Sequence, residues 1–142
     1  MILTDVTVLL NALRDTSEHH AESLEYLSRT LVGSTPVGVL DETLVAVVRI
    51  ASNPRAGVGV DRDTALAFCE AVRSAPAATR PGIGESTWSR FTALVSELDL
   101  SGNDVPDGWL AAVAMDLDAT LVTFDRGFRR FPGLRLELLD SA

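Results

Sequence analysis

The chain has no lysine; all twelve of its cationic side chains are arginine. A Schiff base, a P-loop lysine and pyridoxal phosphate chemistry all need that amine, so each is excluded. Cysteine is almost missing too. Cys69 stands alone in the apolar stretch Leu66-Ala67-Phe68-Cys69, where a small core side chain is the ordinary reading and no internal disulfide can form. His19 and His20 are the only histidines and sit together at an expected helix start, far from any cysteine, so a zinc cluster is not expected. No apolar run reaches about 18 residues, which argues against a membrane span. No basic segment precedes the apolar start Met1-Ile2-Leu3-Thr4, so no signal peptide is visible and the cytoplasm is the expected location.

What is present points to a packed globule. Apolar residues make up 46% of the chain and charged residues only 23%, enough to bury a core in a single domain spanning residues 1–142. The formal charge of −8 opposes nucleic-acid binding, which normally depends on cationic side chains. A bound metal reverses that sign locally, and arginine grips phosphate in a bidentate fork. The all-arginine cation set fits such a patch, and it fits the codon bias of a GC-rich genome equally well.

Strand and helix signals alternate along the chain. Met1–Thr4 reads as a buried strand, followed by a helix over Val6–Leu13. Thr16-Ser17-Glu18 opens a second helix whose apolar face is expected at Ala21, Leu24, Leu27 and Leu31. Val37–Leu40 is the second strand, and Asp41 can cap a helix over Glu42–Ala51. After a loop at Arg55–Val60 comes an amphipathic helix over Asp61–Ser74, with Ala65, Phe68, Cys69 and Val72 on one side. A short edge strand at Ala78-Thr79 and a helix over Glu85–Leu98 follow. Pro106 and Asp107 open a helix running to Leu117. Ala119–Phe124 is a strand, Asp125–Phe131 a short helix or turn, and Leu134–Leu139 an alternating last strand. This order implies an α/β three-layer α/β/α sandwich around a mostly parallel sheet.

Four acids fall where such a sheet places its ligands. Asp5, Glu42 and Asp125 each follow an expected strand, and Asp107 opens an alanine-rich helix. Carboxylates gathered at an apolar rim cost free energy unless a cation neutralises them. Mg²⁺ accepts such oxygen ligands while keeping waters for chemistry. The pattern therefore points to metal-dependent attack on a phosphodiester. Each acid also has a structural reading, as a helix cap or a dipole partner. Asp104, in the Gly102-Asn103 turn, is at most a supporting group.

Three segments carry a resemblance. They are Thr4-Asp5 with Val6, Val8, Leu9 and Leu10; Gly102-Asn103 with Val105, Asp107 and Leu110-Ala111-Ala112; and Leu121-Val122-Thr123 with Asp125-Arg126, Phe128 and Phe131-Pro132-Gly133-Leu134. Together they closely resemble the PIN-domain family and, within it, the VapC-type toxins of bacterial toxin–antitoxin pairs. The helices around Thr16–His20 and Val47–Arg55 fit actinobacterial members, so the likeness covers nearly the whole chain. It implies a Mg²⁺- or Mn²⁺-dependent endoribonuclease, commonly a homodimer, silenced by a small VapB-type antitoxin in its active-site groove. The family's metal-site acids map onto Asp5, Asp107 and Asp125, with Glu42 the nearest match to its glutamate. Two positions depart from the pattern: Thr7 stands where Asn is frequent, and the deeper glutamate position holds Ala46 or Val47.

On this reading Asp5 and Asp107 hold the principal ion, and Asp125 and Glu42 complete the acidic pocket. A metal-activated water attacks the RNA phosphorus. Thr123 orients a ligand or water, while Arg126, Arg129 and Arg130 are placed to hold the RNA backbone. One rival is a phosphoacceptor receiver domain, which wants an acidic pair after the first strand and a late lysine; the chain has neither. The other is a catalytically weakened PIN-like protein-interaction module.

Overall fold

The computed structural model describes residues 1–56 and 59–139, so part of the expected Arg55–Val60 loop lies outside the described residues. Strand β1 (Ile2–Thr4) leads to helices α1 (Val6–Leu13) and α2 (His20–Thr30), then to β2 (Val37–Gly38). Helices α3 (Asp41–Ala51) and α4 (Arg62–Arg73) precede β3 (Ala78–Thr79). Next come α5 (Glu85–Glu97), α6 (Val105–Asp116), β4 (Thr120–Thr123) and β5 (Arg135–Leu138). The described strands form one sheet in the order β3-β2-β1-β4-β5, every pairing parallel.

The sheet is covered on both sides, as strands with apolar residues at consecutive positions require. Alternation along β4 sends Val122 to one layer, packed with α1, α2, α3 and α4, and Leu121 to the other, packed with α5, α6, Phe128 and Phe131. Leu3, Leu121 and Val122 are at most 1% exposed. Helix α6 approaches closely because Ala111, Ala112 and Ala114 face inward and are fully buried. Gly108 extends this closeness: a Cβ there would stand 2.7 Å from Leu100 Cδ1. That pins the first turn of α6, and Asp107 with it, against the α5 side.

Several local expectations are corrected. In β2 only Val37 and Gly38 pair in the ladder, although the whole run to Leu40 is buried. Asp41 lies inside α3 and caps nothing; its carboxylate pairs with Arg73 instead, at 2.8 Å. That guanidinium holds the Asp41 carboxyl below its usual range. Helix α2 starts at His20 with no side-chain cap, and it buries Ser23, Tyr26 and Leu27 rather than Ala21 and Leu24. Both sets have helical spacing, and contact with α1 selected between them. Asp61 does cap α4, accepting from the Thr64 N–H at 2.9 Å.

Candidate functional site

In the strand order, β1 is the point where the chain turns from building one half of the sheet to building the other. Its carboxyl end beside β4 is the crevice in which open α/β sheets bind ligands. Asp5 is the first residue after β1, and Asp125 lies two residues beyond β4. Asp107 comes from the first turn of α6, the helix that feeds β4. Three acids distant in sequence thus meet at one rim.

Asp5 is the most constrained of them, only 7% exposed. Its Oδ1 accepts the Val6 N–H at 2.6 Å, which caps α1. Its Oδ2 accepts the hydroxyls of Thr7 at 3.0 Å and Thr123 at 2.7 Å. Hydrogen bonds to an ionised carboxylate stabilise by about 1.5–3 kcal/mol each, yet burial dominates and pushes the Asp5 carboxyl above its ordinary value, with the Asp125 charge adding to the rise. Thr123 is fully buried and also accepts the Asp125 N–H at 2.9 Å, so one hydroxyl ties both acidic corners to β4. Asp125 in turn caps the 3-10 turn Arg126–Arg130 through the Gly127 N–H at 2.8 Å. Asp5 and Asp125 are therefore caps as well as candidate site residues, each using one oxygen for the cap.

Asp107 is held differently. Burial raises its carboxyl first, Arg130 opposes this by a hydrogen bond, and the charges of Asp5 and Asp125 raise it further. The Asp5 and Asp125 charges thus reach Asp107, and the Asp125 charge reaches Asp5. Arg130 Nη2 lies 3.0 Å from Asp107 Oδ2 and 3.5 Å from Asp104 Oδ1. Asp104 is thus a second anchor for the same guanidinium.

A cavity of about 240 Å³ opens in front of Asp5 and Asp107, lined also by Glu42, Thr43, Ala46 and Trp109. Glu42 reaches this wall from α3, where its Oε1 accepts the Trp109 indole N–H at 2.6 Å. Nothing in the local pattern links positions 42 and 109, so this bond has no signature in the sequence. Trp109 continues outward into Phe91 (5.5 Å between ring centres) and the exposed Trp88. His19 and His20 lie elsewhere: the His19 ring stacks on Phe124 at 4.6 Å, and His20 Nδ1 meets the Asn11 carbonyl at 3.0 Å. Among the described residues, no three carboxyl, imidazole or thiol groups already stand close enough to share one ion. Asp5, Asp107 and Glu42 are the carboxylates in the cavity wall, and Asp125 stands outside that lining, tied to Asp5 through Thr123.

A parallel sheet with acids at its switch point defines a class of α/β proteins with an acidic crevice, and comparison with known proteins narrows it. The chain belongs to the PIN-domain family, whose model matches residues 2–134. It is 37% identical over 136 residues to Ribonuclease VapC43 of Mycobacterium tuberculosis and to VapC ribonuclease Mb2897 of Mycobacterium bovis, covering 95% of this chain and 92% of each relative. Ribonuclease VapC31 of M. tuberculosis is 32% identical over 95% of the chain and 96% of its own length. Among solved structures, VapBC2 from Rickettsia felis bound to a promoter DNA fragment matches with a TM-score of 0.71 at 20% identity, covering 99% of this chain and all of the other. DNA-bound VapBC from Salmonella typhimurium gives 0.66 at 20% identity over 96% of both chains. These two likenesses establish the fold, a three-layer α/β sandwich on a parallel sheet. No helix among the described residues is long and apolar enough to cross a membrane.

Proposed function

We propose that this chain is the toxin of a VapBC-type pair, an endoribonuclease that uses Mg²⁺, with Mn²⁺ as a substitute, to cut RNA phosphodiesters. The observation that carries it is a cavity with Asp5, Asp107 and Glu42 in its wall, and Asp125 tied to Asp5 through the Thr123 hydroxyl. The relatives named as VapC ribonucleases support the substrate class, and the VapBC likenesses support a VapB-type antitoxin as partner.

The donor chemistry fits a hard divalent ion: among the described residues, the groups lining the cavity that could ligate it are carboxylate and hydroxyl oxygens. Asp5, Asp107 and Asp125 would hold such an ion, directly or through its waters. When bound, the ion lowers the pKa of a coordinated water and stabilises negative charge on the phosphoryl oxygens. The chain's own groups do the rest. Thr7 and Thr123 fix Asp5 so that its Oδ2 keeps one orientation, while Asp125 shares Thr123 and so keeps its position relative to Asp5. Val6, Ala46, Pro106 and Leu110 make the cavity walls apolar and limit bulk water. Arg129 and Arg130, on the turn after Asp125, supply the positive charge that RNA needs from a chain of net charge −8.

The expected antitoxin and homodimer contacts need apolar surface. A groove of about 540 Å³ runs between α3 and α4 beside Val45 and Leu66, which are 65% and 46% exposed. A second reading, a weakened PIN-like interaction module, is favoured by one observation: Asp107 already has a cation partner in Arg130. Sequencing of RNA ends after expression of the wild type and of Asp5→Asn separates the two. New ends dependent on Asp5 support the nuclease. Identical end profiles, with no saturable Mg²⁺ binding, would leave the interaction module.

A further inference from the structure

Arg130 closes the short turn that Asp125 caps, and its guanidinium folds back over the acidic rim. Nη2 sits 3.0 Å from Asp107 Oδ2, and the planar group also lies over the Phe131 ring at 4.9 Å. Its other end is located by Gly127. A Cβ built at that glycine would fall 2.9 Å from Asp125 Oδ1 and 3.1 Å from Arg130 Nη1, so both groups crowd the same side of one residue. The guanidinium thus reaches from Asp107 to the side of Gly127 that also faces Asp125, and the missing side chain at position 127 makes room for it. Arginine cannot discharge by losing a proton, so this is a fixed positive charge among acids. It is also movable: the side chain is 34% exposed and its Asp107 partner 30%.

Taking the site as a metal-dependent ribonuclease centre, we propose that Arg130 competes with the metal ion for Asp107 and, once displaced, turns its guanidinium onto a phosphate of the bound RNA. A dication near Asp107 repels a cation set on the same carboxylate. The released fork has the planar geometry that matches a phosphodiester, and Asp104 remains within reach as a resting partner. Arg130 would then couple loading of the metal to grip on the substrate, which Arg129 and Arg126 need not do.

The test is Mn²⁺ titration of the full chain, read by electron paramagnetic resonance, for the wild type, Arg130→Gln and Arg130→Lys. Arg130→Gln should bind Mn²⁺ roughly fivefold tighter, the equivalent of releasing a partly exposed ion pair, and Arg130→Lys should stay near wild type. At saturating metal, the KM of Arg130→Gln for a single-stranded RNA oligonucleotide should rise about tenfold. In labelled wild type, the Arg130 Nε–H resonance, assigned by its loss in Arg130→Lys, should move on adding Mg²⁺, a readout that survives even if Arg130→Gln fails to fold. Unchanged or weaker Mn²⁺ binding in Arg130→Gln, an unmoved resonance, or an unchanged KM would overturn the inference while leaving the nuclease reading intact. No Mn²⁺ binding by any of the three proteins would overturn both.

Discussion

The two sides of the acidic pocket are built on different physics. On the β1–β4 side, Asp5 is buried and held by a backbone N–H and two threonine hydroxyls, all neutral donors on packed strands and a helix start. On the α6 side, Asp107 is more exposed and is held by one partly exposed cation, with Glu42 and Trp109 forming the adjacent wall. Neutral donors in a dry corner fix geometry without cancelling charge, so the first side keeps its negative potential. A charge partner at a half-exposed corner cancels potential but exchanges easily. The first side is a template, and the second is where partners change.

Asp5→Asn should break the template most severely. If Asp5 is a ligand, RNA cleavage falls by more than roughly a hundredfold, because the residue supplies charge that the amide lacks. An assay with fluorescent RNA and circular dichroism on the same sample checks it; near-normal cleavage by a folded variant would refute the assignment. Next in size is Thr123→Val, which keeps the strand and its shape but removes the donor to Asp5 and the acceptor for the Asp125 N–H. Loss of such a supporting group costs about ten- to a hundredfold in metal affinity or activity, and about 1–3 kcal/mol of stability for the unsatisfied N–H. Denaturant melts and Mg²⁺ titration measure both.

Stability should respond to pH in a direction set by Asp5. Burial, then the Asp125 charge, raises its carboxyl in the folded chain. The folded state therefore holds the proton more tightly than the unfolded one, and this contribution to stability is full below the ordinary carboxylate range. It is lost as pH rises through the higher folded value. In chelator, Asp5→Asn should melt above the wild type near neutral pH, with the gap closing as pH falls to about 4. A gap that is constant or widens on acidification would contradict the sign. Smallest is Trp109→Phe, which frees the Glu42 carboxylate at a cost of about 0.5–1.5 kcal/mol and should change cleavage only a few-fold. Comparison with Glu42→Gln, which keeps an acceptor for the indole, sharpens the contrast. A loss there as deep as in Asp5→Asn would move Glu42 from the wall into the ligand set.

Much of this architecture was legible in the sequence. The helices and strands, including the two-residue edge strand at Ala78-Thr79, follow from apolar periodicity and turn residues. The α2 face was misassigned because positions 21, 24, 27 and 31 and positions 23, 26 and 27 satisfy the same helical period. Only docking on α1 turned Ser23 and Tyr26 inward and left Leu24 in solvent. Asp41 looked like a cap because acids at helix starts usually are, but Arg73, thirty-two residues away, took it. The same limit hid Trp109 from Glu42 and Arg130 from Asp107, since partners across layers leave no mark in local spacing.

By itself the sequence determined a parallel α/β sandwich and the placing of acids after its strands, because both follow from short-range pattern and from the rule that ligands gather at strand ends. It also determined that a permanently charged grip on phosphate must be arginine, lysine being absent. Only the tertiary structure decided how each carboxylate is held, by hydroxyls at Asp5 and by a guanidinium at Asp107. The Thr7 bond is local, but Thr123 to Asp5 and Arg130 to Asp107 join residues 118 and 23 positions apart, and they exist because α1 and α6 both pack against β4.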